Sequence, residues 1–167
     1  RPFILTSEIY YKYLRDIVPY EVDNVRIRYY ADQRATGYAA GIDLRINGEF
    51  VKGIEGWASL SLMKTAENIK YYIGPNGNIL SQTDVNNGAD YVNDTIIKGI
   101  PRPSDQRACV SVFFQDYVPY IPSFKVNLKL VFGTGMPFGT PHSERYKQTM
   151  RMSAYRRVDI GFSKQLI

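Results

Sequence analysis

The sequence predicts an all-β protein whose strands form an antiparallel up-and-down meander. Three stretches, Ala40–Asn47, Lys125–Phe132 and Arg157–Ser163, alternate between apolar and polar residues almost throughout. Because successive side chains leave a strand on opposite faces, a period of two predicts a sheet with one apolar and one polar face. The 14 tyrosines and 8 phenylalanines are also residue types that strands favour.

Six strands are predicted in chain order. Their bounds are Phe3–Leu14, Tyr38–Asn47, Gly56–Thr65, Gln106–Tyr117, Phe124–Phe132 and Tyr155–Leu166. Each has about the 9–11 residues that a tilted membrane-crossing strand needs. The first stretch also places Tyr10, Tyr13 and Ile17 at helical spacing, so a helix remains an alternative there, although its β-branched and aromatic residues favour a strand.

The connections between the predicted strands alternate in length. Phe50–Glu55 and Val118–Ser123 are short, whereas Arg15–Gly37, Ala66–Asp105 and Gly133–Ala154 are long. In an antiparallel meander this places every long loop at one end of the sheet and every short turn at the other, a layout typical of outer-membrane β-barrels. Aromatic residues gather near both ends of the strands, as in the two girdles of such a barrel, but they also fill the ends of soluble β-sandwiches.

The alternation does not decide which face of the sheet points inward. In a soluble sandwich the apolar face turns into the core, whereas in a transmembrane barrel it meets lipid and the polar face lines a watery lumen. On the barrel hypothesis, a partial transmembrane barrel with long extracellular loops, the lumen-facing candidates are Asp43, Arg45, Lys125, Asn127, Lys129, Arg157 and Asp159.

Three pairs of neighbouring segments carry a family resemblance. Tyr38–Phe50 (YAAGIDLRINGEF) runs into Gly56–Leu62, Pro101–Arg107 runs into Val110–Tyr117, and Val131–Gly139 precedes Tyr155–Phe162. In order and spacing these segments resemble a late portion of the barrel of TonB-dependent outer-membrane transporters, in their large nutrient-importing subgroup. The resemblance implies a barrel of about 22 strands with a plug in its lumen. Residues 1–167 are therefore expected to be a fragment of one β-barrel domain, without the plug and the remaining strands.

The resemblance also implies a function, namely a wall segment of a receptor that imports a nutrient across the cell outer membrane. The implied partners are outer-membrane lipid, the remainder of the barrel and its plug, TonB coupled through that plug, and a surface lipoprotein. No bond is made or broken in such a role, so neither enzyme activity nor a cofactor is expected. The long loops supply the candidates for substrate contact, which are Arg26, Arg28, Tyr29, Tyr30, Tyr71 and Tyr72.

Two other functions remain open on the sequence alone. One is a soluble β-sandwich that binds a glycan or a nucleic acid through tyrosine-rich loops, and the other is a hydrolase centred on His142. The net charge of +5 is mild and does not demand an anionic partner, so the leading hypothesis includes no nucleic acid. A single histidine and a single cysteine cannot supply the usual set of zinc ligands, so no metal site is predicted.

Overall fold

The structure is a computed structural model that describes residues 3–23, 26–52, 54–140 and 143–164. Its strands are β1 (Ile4–Ile17), β2 (Tyr20–Asp23), β3 (Arg26–Tyr29), β4 (Ala35–Val51), β5 (Ile54–Ile73), β6 (Ile79–Leu80), β7 (Asn93–Pro101), β8 (Ala108–Val118), β9 (Ile121–Gly133), β10 (Pro137–Phe138), β11 (Met150–Arg151) and β12 (Tyr155–Lys164). One short helix, α1 (Gln82–Asn86), and one 3-10 turn, Arg145–Lys147, complete the described elements.

Six long strands form the meander, in the spatial order β1-β4-β5-β8-β9-β12. Every neighbouring pair is antiparallel, so the all-β class and the up-and-down order are confirmed. All six predicted strands are present, although the predicted end of the last one, Gln165 and Leu166, lies outside the described residues. Strand β1 is extended over Ile4–Ile17, which excludes the helical alternative. The short turns lie at one end of the sheet and the three long connections at the other.

The long connections carry structure of their own. Strands β2 and β3 form one two-stranded sheet, and β10 and β11 form another. Strand β5 runs to Ile73 rather than ending at Thr65, because β7 pairs with its distal half from Ala66 opposite Pro101 to Ile73 opposite Asn93. The polar segment that the sequence assigned to a loop is therefore partly a continuation of the sheet.

The sheet is open. Among the described residues, β1 pairs only with β4 and β12 pairs only with β9, so each has one edge of unpaired backbone groups. The two edges are not paired with each other, and this chain by itself does not close a barrel. A strand edge of this kind is a template for pairing with a further strand.

The register aligns most of the aliphatic residues of the six long strands on one face, whereas Trp57, Phe113 and Val131 lie on the polar face. One row runs across the whole meander without a polar residue, through Leu5, Ile46, Ala58, Val112, Leu130 and Val158. This face remains exposed, with Ile9 at 79%, Ile160 at 63% and Leu44 at 37% of full exposure. Among the described residues, the buried hydrophobic core lies instead at the loop end, around Ala35, Ile69, Tyr71 and Ile100.

Aromatic rings on the apolar face pair at both ends of the strands. At the turn end the ring centroids of Phe3 and Phe50 are 5.1 Å apart, and those of Phe124 and Phe162 are 6.0 Å apart. At the loop end Tyr11 stacks on Tyr38 with centroids 6.2 Å apart. Phe3 and Tyr11 are separated by eight positions on the chain, or about 27 Å along a strand. On β4 the corresponding rings, Tyr38 and Phe50, are twelve positions apart, so the height of the apolar surface between the rings differs from strand to strand.

Candidate functional site

The polar face of the meander brings together the seven residues that the sequence proposed for a lumen. In β4, Asp43 and Arg45 lie opposite Ser61 and Ser59 of β5. At the other side of the sheet, Lys129 of β9 lies opposite Asp159 of β12. The remaining three, Lys125, Asn127 and Arg157, occupy the same face by the same alternation. Their common face is established; that it faces a lumen stays a prediction.

The cations of the polar face are held by neighbours on that face. The Arg45 Nε donates to Asn47 Oδ1 at 2.9 Å, and its guanidinium carbon lies 5.0 Å from the Trp57 ring centroid. The Arg157 Nε donates to Asp159 Oδ1 at 2.8 Å. Exposed pairs of this kind add little stability because water solvates both charges. The arrangement therefore suits a hydrated surface rather than a packed core.

Two acids of the polar face lie directly opposite one another. Glu8 of β1 pairs in register with Asp43 of β4, and both line a cleft of about 220 Å³ together with Arg45, Ser59 and Ser61. Like charges directly across a strand pair are destabilising unless they are solvated or neutralised. Glu8 was not among the sequence candidates. The alternation of Thr6, Glu8 and Tyr10 could have revealed it, but the helical spacing in β1 obscured that signal.

The hairpin β2–β3 and the residue that follows it contain four of the predicted substrate-contact residues, of which two contact Glu21 and two are exposed. Glu21 is buried, and its carboxylate accepts hydrogen bonds from the Tyr30 hydroxyl at 3.0 Å and from Arg28 Nη1 at 3.4 Å. Burial, assisted by Glu21, raises the pKa of the Tyr30 phenol. Arg26 and Tyr29 are instead exposed, and the Tyr29 ring lies 6.0 Å from that of Tyr20. Tyr29 and Arg26 are thus available to a ligand, whereas Tyr30 is committed to an internal contact.

Tyr71 and Tyr72 lie in β5 rather than in a loop. The Tyr71 side chain is completely buried and packs edge-on against Tyr146, with ring centroids 5.1 Å apart. The Tyr72 hydroxyl donates to Gln82 Oε1 at 2.6 Å. A substrate could reach Tyr71 only if this packed region opened. The placement of these residues in an accessible loop is therefore corrected, because β7 and the segment around Tyr146 cover this end of β5.

A buried ionic cluster at the loop end was not found from the sequence. The Glu67 carboxylate is fully buried and lies 2.9 Å from Arg145 Nη2 and 3.4 Å from Arg102 Nε. Arg145 itself is 1% exposed and donates through Nη2 to the carbonyl of Pro101. Burial raises the pKa of Glu67, and this desolvation outweighs the opposing effect of the two arginines. The three groups tie the segment after β9 to β5 and β7.

A second acid, Asp105, strengthens the same junction. Its Oδ1 accepts a hydrogen bond from the backbone of Thr65 at 2.7 Å, and its Oδ2 forms ion pairs with Arg107 and Arg151. Asp105 is completely buried, so these contacts replace the water that a charged carboxylate would otherwise need. No local pattern predicts this cluster, because its members come from distant parts of the chain.

Three other features were sought in the described part of the chain: a metal site, the surroundings of His142 and a membrane-spanning helix. Within it, no group of three or more histidine, cysteine or acidic side chains is placed to hold a metal ion. His142, on which the hydrolase hypothesis depends, lies outside the described residues. No helix in the described ranges is both long and apolar enough to span a membrane.

Comparisons with known proteins identify no relative of this chain. No protein-family model matches it, and neither the curated proteins nor the solved structures contain a match. By its fold, the described part of the chain is an all-β protein, an open antiparallel meander with a packed loop end.

Proposed function

We propose that this chain is a wall segment of a transmembrane β-barrel in a cell outer membrane. The observation that carries the proposal is the exposed apolar face bounded by aromatic rows. The band of about 27 Å along β1 corresponds to a height of about 19–22 Å at the strand tilt of about 35–45° found in outer-membrane barrels, somewhat below their apolar belt of about 25 Å. On the apolar face this band is mostly aliphatic, and it also contains Phe114, Ser7 and, in the same cross-strand row as Ser7, Arg156.

The alternative of a soluble β-sandwich requires a second layer over the apolar face. Nothing in the described ranges supplies that layer, since the loops pack at the end of the sheet and leave Ile9 and Ile160 exposed. The exposure of this face therefore favours lipid over a protein layer.

The proposed barrel is completed by further strands at both edges of the meander. The unpaired edges of β1 and β12 would hydrogen-bond to these strands, and the polar face would line the lumen and contact a plug. The assignment to TonB-dependent nutrient receptors rests on the sequence resemblance alone. On that assignment the segment performs no chemistry, TonB acts through the plug, and the loop end with Arg26 and Tyr29 meets the substrate or a surface lipoprotein.

Site-directed spin labelling of two neighbouring positions tests the orientation of the sheet. Ile160→Cys and Asp159→Cys lie on opposite faces of β12, and each is labelled in a Cys109→Ser background of the full-length protein in lipid vesicles. We expect the label at 160 to collide with oxygen, which concentrates in lipid, and the label at 159 to collide with a water-soluble nickel complex. A label at 160 that is shielded from both reagents would support the sandwich and contradict the proposal.

A further inference from the structure

A groove crosses the apolar face between β1, β4 and β5. Its volume is about 650 Å³, and its lining includes Ile9, Tyr11, Ala40, Ile42, Leu62 and Lys64. The groove forms because Ala40 is small, whereas the side chains of Tyr11 and Lys64 stand beside it in register. Its floor is aliphatic, and its loop end carries an aromatic ring and a cation.

Lys64 is an unusual residue for this face. It lies opposite Ala40, on the apolar side of the sheet, and its side chain is exposed. In the described part of the chain it has no ion pair or hydrogen bond through its ammonium group. Arg107 also lines the groove, but its guanidinium is already paired with Asp105 at 2.7 Å. Lys64 is therefore the cation of this groove that is free to bind an anion.

The same arrangement occurs a second time on the apolar face. A smaller groove of about 320 Å³ is lined by Val112, Leu130, Phe132 and Val158 and ends at Arg156. Arg156 lies opposite Phe132 near the start of β12, in a cross-strand row that meets β5 at Leu60, four positions from Lys64. Within the described ranges the Arg156 guanidinium also has no acidic partner. Each of the two grooves thus combines an apolar lining with a cation that has no acidic partner among the described residues.

We propose that the Lys64 groove binds one molecule of an anionic membrane lipid that carries a phosphate, with an acyl chain on its aliphatic floor and the phosphate on Lys64. This inference rests on the proposed membrane orientation. Lysine can lay its methylene stem along an apolar surface while its ammonium reaches the headgroups. The aromatic pair Tyr11–Tyr38 marks the depth at which headgroups begin, so the cation and the phosphate meet at the same level. The Arg156 groove is a second, smaller site of the same kind.

The charge of Lys64 and the shape of the groove can be tested separately. The full-length protein is reconstituted in phosphatidylcholine nanodiscs containing a minor fraction of phosphatidylglycerol, and retained lipids are counted by native mass spectrometry. We expect Lys64→Gln to lower the retention of phosphatidylglycerol relative to phosphatidylcholine about fivefold, because the variant removes one cation that attracts the anionic headgroup. Ala40→Phe, which fills the groove, should reduce the retention of both lipids. Lys129→Gln, an equal charge change on the polar face, should change neither.

The outcomes distinguish this inference from the proposed function. Equal phosphatidylglycerol retention in the wild type and Lys64→Gln would overturn the lipid site while leaving the membrane orientation intact, provided that the spin-label pattern is as expected. An equal loss in Lys129→Gln would also overturn it, because the effect would then follow net charge rather than the groove. Failure of the protein to insert into the nanodisc would contradict both the proposed membrane orientation and the proposed lipid site.

Discussion

Leu128→Arg is expected to destabilise the full-length protein in lipid vesicles by about 2–4 kcal/mol, the cost of an arginine near the middle of a bilayer on a barrel's outer face. Leu128 lies on the apolar face, opposite Phe114 and Ile160. It is four positions from Phe124 and four from Phe132, which places it midway between the aromatic ends of β9. Chemical unfolding in vesicles, followed by tryptophan fluorescence, measures the change.

The matched control is Asn127→Arg, which introduces the same side chain one position away on the opposite face. Asn127 lies opposite Gln115 and Gly161, where a cation would meet water or other polar groups. We expect this variant to unfold within about 0.5 kcal/mol of the wild type, as surface substitutions usually do. The removal of an existing polar-face cation, Arg45→Ala, should likewise be mild and affect mainly uptake. Equal costs for Leu128→Arg and Asn127→Arg would contradict a lipid-facing apolar surface.

The second large effect is expected from Arg145→Ala, which removes the cation most deeply buried at the loop end. Glu67 would remain fully buried with only Arg102 nearby, at 3.4 Å. Breaking one side of a buried ion pair costs about 3–5 kcal/mol because an uncompensated charge is left behind. We expect the cost to appear as local opening of the loop end, seen as faster hydrogen exchange in β7 and as protease cleavage between β9 and β12, while the meander stays folded.

Two further variants separate charge from packing at this cluster. Glu67→Gln should also be destabilising, because it leaves the buried Arg145 guanidinium without its carboxylate partner. The paired replacement Glu67→Leu with Arg145→Met should recover much of the loss, since apolar residues of similar volume often replace a buried ion pair without penalty. Protection that is unchanged in Arg145→Ala would show that the cluster does not hold the loops together.

The sequence predicted the meander well because its signal is local. A period of two in β4, β9 and β12 is sufficient to define a strand and to assign each side chain to a face. The signal was weaker in β1, where tyrosines fall at both strand and helical spacing, and hydrogen bonding to β4 decides the conformation. It failed beyond Thr65, where Ala66 and Glu67 are both buried and the alternation no longer reflects exposure.

The loop end could not be predicted because its contacts are non-local. Nothing near Glu67 in the sequence indicates that Arg145 will reach it, and an isolated acid within a strand usually indicates a solvated face. Residue type also misled the assignment of Tyr71, since a tyrosine in a polar segment suits a binding surface as well as a small core. Its burial follows from the docking of Tyr146, which depends on the folded position of the segment after β9.

The unpaired edges of β1 and β12 affect how the chain behaves when it is produced alone. Strands β1 and β12 run in opposite directions, so the last strand of one copy could align antiparallel with the first strand of another. Such pairing would extend the sheet without limit and place the apolar faces of successive copies side by side, as one continuous apolar surface. When produced alone in water, the polypeptide is therefore expected to aggregate by pairing between the strand edges of different copies. Pairing of these edges with other strands would prevent this aggregation.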